Sequence, residues 1–220
     1  MKEPFIIVNF KTFEEATGKK ALELAKLCER VAKGFKVEIA VAPQATDIRE
    51  IAENVSIPVF CQHIDPIKSG AYTGHILGQA VQMAGAIGVL INHSEKQVTI
   101  EQASKIIDIC KELGLISVYC TASPVNIDRI RKYSPDYIAY EPPELIGGAV
   151  SVSTAKPKVI TESISRAKEI HLIVGAGIKT GYDVRKALEL GAKGVLIASG
   201  VCKAEDPEKE LISFAEALKE

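Results

Sequence analysis

Three side chains of the kinds that move protons stand just behind short apolar runs. Lys11 follows "FIIVN" by two residues, His93 sits in "INHSEK", and Glu141 ends "YIAYE". An ammonium, an imidazole and a carboxyl group are the usual makings of a fixed charge, an acid or electrophile, and a base. Each has a plainer reading when taken alone. Lys11 reads as a solvated lysine just past a strand, and His93 as a hydrogen-bonded structural histidine. Glu141 resists such a reading, because a carboxylate that closes an apolar run ahead of Pro142 and Pro143 is badly placed for solubility alone. Beyond the prolines, "ELIGGA" loosens the chain at Gly147 and Gly148.

What must position these groups is a series of eight apolar runs, at 5–9, 37–42, 58–62, 88–92, 116–120, 137–141, 171–175 and 194–199. Each is nearly continuous in Val, Ile, Leu and Ala, as in strands buried on both faces of a parallel sheet. Amphipathic segments lie between them. In "GKKALELAKLCERVAKGF", Leu22, Ala25, Leu27, Cys28 and Val31 are expected to share a face. Eight units in 220 residues leave about 27 residues each, enough for a strand, a short helix and tight turns. No linker or low-complexity stretch interrupts the series, so residues 1–220 read as one α/β domain, a (β/α)8 barrel. An open doubly wound sheet is the alternative. It usually has fewer strands, and its Gly-x-Gly-x-x-Gly after the first strand is absent.

In a barrel of this kind the chemistry gathers at the C-terminal ends of the strands. Asn9, Lys11, Asn92, His93, Glu95 and Glu141 then share one rim. "VGAGIKTG" after the seventh run and "IASG" after the eighth add backbone N–H groups suited to a phosphate, although either alone reads as an ordinary glycine turn.

The bulk properties narrow the partners. A net charge of −1 without long runs of one sign gives no reason to expect nucleic acid or an anionic membrane. The first apolar run is too short for a signal segment or a membrane span, which suggests a cytoplasmic protein. The five cysteines (Cys28, Cys61, Cys110, Cys120 and Cys202) are widely spaced, and with four scattered histidines they show no metal-binding pattern. Most read as small core residues.

The segments "VNFK", "INHSE", "YEPPELIG", "GAGI" and "GVLIASG", together with the loop "CQHIDPIKSGAYTGHIL" at 61–77, resemble the triosephosphate isomerase family in its short archaeal form, in order from Phe5 to the end. The resemblance implies interconversion of dihydroxyacetone phosphate and D-glyceraldehyde 3-phosphate, with no cofactor and no metal. It makes Glu141 the base, His93 the electrophile, and Lys11 the fixed charge. Asn9 becomes a substrate-binding residue and Glu95 a support for the lysine. Backbone around Ile146, Gly147, Gly177, Ala198 and Ser199 would hold the phosphate. Pro142 and Pro143 would form a stiff shoulder for a lid, with a second hinge at Ser153-Thr154-Ala155.

In that lid this chain departs from the archaeal pattern, since Gly148-Ala149 stand where Thr-Gly is usual. The resemblance also implies a homo-oligomer, a tetramer or else a dimer, with Thr73 reaching a neighbouring subunit. Two other readings stay open at this stage. One is another phosphate-binding barrel enzyme, such as an isomerase of tryptophan or thiamine biosynthesis. The other is a non-catalytic barrel kept for binding.

Overall fold

The computed structural model describes residues 1–141 and 157–219. Its strands are β1 (Phe5–Asn9), β2 (Glu38–Ala42), β3 (Phe60–Cys61), β4 (Gly88–Ile91), β5 (Ile116–Thr121), β6 (Tyr137–Tyr140), β7 (His171–Val174) and β8 (Gly194–Ile197). They pair in parallel in the order β2-β1-β8-β7-β6-β5-β4-β3. A parallel bridge between Val41 and Val59 brings the two ends of that row together, with the Val41 N–H donating to the Pro58 carbonyl at 3.0 Å. The row therefore closes as a barrel.

All eight runs form strands within two residues of the expected limits, and the third is the shortest. Of 58–62, only Phe60 and Cys61 pair regularly, with Gly88 and Val89. Pro58 has no N–H to give to a ladder, which leaves its carbonyl and Val59 to make the closing bridge.

Strand residues alternate between two apolar layers, as a pleat with a period of two requires. Phe5, Ile7, Ala40, Phe60, Leu90, Val118, Ala139, Ile173 and Leu196 fill the barrel interior. Their neighbours Ile6, Val8, Ile39, Val41, Val89, Ile138, Leu172 and Val195 pack outward against the helices. Gly88 gives the interior its room, because a Cβ there would stand 2.2 Å from the Phe60 ring.

The outer ring of described helices comprises α1 (Lys19–Phe35), α2 (Ile48–Asn54), α3 (Gly78–Met83), α4 (Ile100–Leu113), α5 (Pro124–Ile130), α6 (Pro157–Ala167), α7 (Gly181–Glu189), α8 (Ser199–Cys202) and α9 (Pro207–Ala217). In α1 the buried face runs through Ala21, Leu24, Ala25, Cys28, Val31 and Ala32, so the expected face is rotated slightly. Leu22 and Leu27 lie at its margins, half-buried. All five cysteines are buried free thiols.

Candidate active site

The pleat that fills the barrel also aims the polar groups. Phe5 and Ile7 point inward on β1, and the next position in phase is Asn9. Tyr137 and Ala139 point inward on β6, and the next is Glu141. Both polar residues are buried, Asn9 at 4% and Glu141 at 3% exposure. The Glu141 N–H donates to the Thr121 carbonyl at 2.8 Å and Gly175 N–H donates to the Tyr140 carbonyl at 2.9 Å, so the barrel wall holds the backbone of the acid from both sides.

On β4 the phase is deliberately broken. Asn92, next after Leu90, adopts φ 61°, a left-handed conformation that asparagine tolerates better than most residues. Its amide nitrogen donates to Tyr119 Oη at 3.1 Å and to the Cys120 carbonyl at 2.9 Å, and its oxygen accepts from the Val98 N–H at 3.0 Å. Asn92 is thus a brace between β4 and its neighbours, and the turn it makes lets His93 line the cavity.

His93 is buried, and its Nδ1 accepts a hydrogen bond from the Glu95 N–H at 3.2 Å. In a neutral imidazole that assigns the proton to Nε2. Nε2 lies 3.7 Å from Glu141 Oε1. Burial first, and the charge of Lys11 second, hold the His93 pKa below its ordinary value, while Glu95 pulls the other way. For Glu141 burial raises the pKa to about 8, against the opposing pull of Lys11 and the neighbouring Cys120 thiol. Its Oε2 is buried without a hydrogen-bond partner among the described residues. A carboxyl group in that condition is poised to exchange a proton near neutral pH.

Lys11 adopts φ 48°, a conformation lysine rarely takes. Two residues hold it there. Asn9 Oδ1 accepts the Lys11 N–H at 3.0 Å, and Gln62 Nε2 donates to the carbonyls of Lys11 and Ala42, both at 2.9 Å. The ammonium donates to Glu95 Oε1 at 2.7 Å. Gln62→Ala is therefore expected to lower kcat/KM about tenfold by releasing the Lys11 backbone, with the circular dichroism spectrum unchanged; steady-state kinetics will show it.

Asn9, Lys11, His93 and Glu141 share a cavity of about 250 Å³ with Gly175, Gly177, Ala198 and Ser199. Gly177 has φ 70°. The N–H groups of Gly177, Ser199 and Gly200 donate to no other group among the described residues. The loop carrying Gly177 is tied at its far end, where Asp183 Oδ2 accepts from the N–H of Lys179 at 3.1 Å, and from the N–H and the hydroxyl of Thr180, both at 3.0 Å. Main-chain N–H donors suited to an anion, a base, an imidazole N–H donor and an ammonium thus face one space.

The structure brings together Asn9, Lys11, His93, Glu141, Gly177, Ala198 and Ser199, with Glu95 behind the lysine. Thr73 lies apart from them on an exposed tip. The lid positions Pro142, Pro143, Ile146, Gly147, Gly148 and Ala149, and the hinge Ser153-Thr154-Ala155, lie outside the described residues. Gln62, Cys120 and Gly175 were not singled out by the sequence. Gln62 ends the third apolar run, so the same strand-end rule that picked out Glu141 would have found it. Among the described residues no three His, Cys, Asp or Glu side chains gather as a metal site, and no helix is long and apolar enough to cross a membrane.

Residues 4–218 match the family model described as triosephosphate isomerase. The triosephosphate isomerase of Methanothermus fervidus is 46% identical over 215 residues, covering 96% of this chain and 97% of that one. That of Methanocaldococcus jannaschii is 47% identical over 216 residues, covering 95% and 99%. Among solved structures, the crystal structure of triosephosphate isomerase from Bartonella henselae superposes with a TM-score of 0.78 over 99% of each chain; its 18% identity speaks for the fold alone. A barrel that carries Lys11, His93 and Glu141 on one rim, with relatives this close over nearly its whole length, belongs to the triosephosphate isomerase family.

Proposed function

We propose that this chain interconverts dihydroxyacetone phosphate and D-glyceraldehyde 3-phosphate through an enediolate, the step that serves glycolysis and gluconeogenesis. The observation that carries the reading is a buried, unpaired carboxyl oxygen on Glu141, in one cavity with the His93 Nε2 donor and the Lys11 ammonium. The reaction moves one proton between adjacent carbons, so a single base must remove it and return it. Glu141, ionised, takes the proton from the carbon beside the carbonyl, and the C–H electron pair becomes the enediolate. Neutral His93 donates its Nε2–H to the oxygen that gains charge, and passes protons between the two oxygens. Protonated Glu141 then delivers its proton to the neighbouring carbon. This family is itself the standard case of a neutral imidazole used as electrophile.

Lys11 adds fixed positive charge for the enediolate and the phosphate, positioned by Glu95 and Gln62. Asn9 reaches the substrate oxygens, and the free N–H groups of Gly177, Ser199 and Gly200, near Ala198, receive the phosphate oxygens. The shoulder and lid roles of Pro142, Pro143, Ile146, Gly147, Gly148 and Ala149 belong to the same proposal. None of these roles calls for a cofactor or metal.

The test is turnover of D-glyceraldehyde 3-phosphate by the purified chain, followed in a coupled assay. Turnover that depends on Glu141 supports the reading. A wild type that isomerises only another phosphosugar, or binds phosphate without turnover, would refute it.

The same reading makes the chain a cytoplasmic homo-oligomer of single-barrel subunits, tetrameric or dimeric. The loop tip at 68–75 is exposed, with Tyr72 at 48%, and a cavity of about 580 Å³ lined by Thr12, Gln44, Glu95 and Lys96 opens beside Lys11. In this reading that space is the seat of a tip carrying Thr73 from a second copy. Light scattering is expected to give two or four subunits per particle, and a monomer would sink this part.

A further inference from the structure

The cavity described above holds a second cation whose part in the chemistry is unassigned. Lys203 lies on its wall beside Ser199 and Gly200, and its N–H donates to the Ser199 carbonyl at 3.1 Å. Its ammonium stands over the Phe13 ring, 5.0 Å from the centroid. That is within the range of a cation–π contact, which fixes the direction of an otherwise mobile side chain. Phe13 lines the cavity too, so the pair forms part of its wall.

The charge balance gives Lys203 its importance. Lys11, the other ammonium in the cavity, is already matched by the Glu95 carboxylate at 2.7 Å. Lys203 makes no ion pair among the described residues, and no other interaction of it goes undescribed. Burial keeps His93 neutral at neutral pH and Glu141 largely protonated. A phosphate dianion entering this cavity therefore meets, besides the Glu95-paired Lys11, an ammonium on Lys203 that no carboxylate pairs among the described residues.

We propose that Lys203, held over Phe13, is a phosphate-recognition residue that draws the dianionic end of the substrate toward Ser199 and Gly200 and favours phosphorylated over unphosphorylated trioses. The proposal rests on the isomerase reading, and deepens it. An exposed cation acts mainly on capture, and its effect fades with salt. Its worth is modest compared with the buried groups.

Three measurements on the full-length chain test it. The first is the ratio of kcat/KM for D-glyceraldehyde 3-phosphate to kcat/KM for phosphate-free D-glyceraldehyde. The second is the affinity for inorganic phosphate by calorimetry. The third is the slope of log kcat/KM against log salt. Lys203→Met, which keeps the stem on Phe13, is expected to lower the ratio and the phosphate affinity each about threefold, the scale of one exposed charge pair, and to flatten the slope. Lys203→Arg is expected to restore all three toward wild type. Lys203→Gln carries the same expectation as Met, so the result does not hang on one variant folding.

An unchanged ratio and phosphate affinity overturn the assignment. So does an equal loss on both substrates, which marks a structural role. Because phosphate binding is read without turnover, a wild type that isomerised nothing would defeat the isomerase reading while still leaving Lys203 judged on its own measurement.

Discussion

Glu141→Gln is expected to cut turnover of D-glyceraldehyde 3-phosphate by about a thousandfold or more, and at the same time to make the chain more stable at alkaline pH. The first effect follows from loss of the base, since an amide cannot hold the proton that must travel between the carbons. The second follows from burial. The Glu141 carboxyl is raised from an ordinary 4.5 to about 8, chiefly because its ionised form is stripped of water.

Between pH 4.5 and 8 the folded chain keeps a proton that the unfolded chain has released. Stability therefore declines as the pH rises through that window, and above pH 8 the full cost of a buried carboxylate is present. Glutamine has no such ionisation. Its amide brings its own unmet hydrogen bond into the place where Oε2 already has none, but that cost is the same at every pH. The pH dependence is thus the clean readout. From pH 5 to pH 9 the variant should gain on wild type by about 2 kcal/mol or more, roughly 6 °C in melting temperature for a chain of this size. Scanning calorimetry at the two pH values measures it, and parallel melting curves would mean that Glu141 is not held neutral. The same raised pKa predicts a wild-type kcat/KM that falls as the pH drops through about 8, because only the ionised carboxylate abstracts a proton.

Much of the site was legible because a closed parallel barrel turns position along a strand into position in space. Once eight apolar runs are recognised, the residue that ends each is on the rim, which picks out Asn9 and Glu141 directly and puts Lys11 and His93 one or two residues beyond it. What escaped depends on contacts between strands. The third strand shrank to Phe60–Cys61 because Pro58 and Val59 are spent on closing the barrel, and Gln62 gained its clamp on Lys11 only through that closure. Asn92 carries a polar side chain at a strand end, as a substrate ligand would, yet its hydrogen bonds go to β5 and to Val98. The face of α1 shifted because helix orientation is set by the barrel wall it covers, and Leu22 and Leu27 read as core from spacing alone.

Gly175 is the sharpest of these cases, because the phosphate reading of "VGAGIKTG" singled out Gly177 and passed over its neighbour. The structure gives it a different duty. A Cβ at Gly175 would lie 2.6 Å from Glu141 Cγ and 2.8 Å from Oε1, distances no side chain can accept. Its backbone cannot retreat, since its N–H is bonded to the Tyr140 carbonyl in the β6–β7 ladder. It is also not a position of positive φ, so alanine suits the main chain and only the space is wrong.

Gly175→Ala should therefore fold, and drive the Glu141 carboxyl off its place beside His93. A displacement of the order of 1 Å is enough to cost about 100-fold in kcat. A second signature separates displacement from a general loss of structure. A carboxyl pushed out toward water regains its hydration, so its pKa returns toward 4.5 and the acid limb of the pH–rate profile moves to lower pH. The variant is then slow, yet keeps its residual activity in acid better than wild type does. A Gly175→Ala enzyme with wild-type kcat, or with an acid limb still near 8, would show that the carboxyl had found another way to stay buried. The room beside Glu141 would then owe nothing to this glycine.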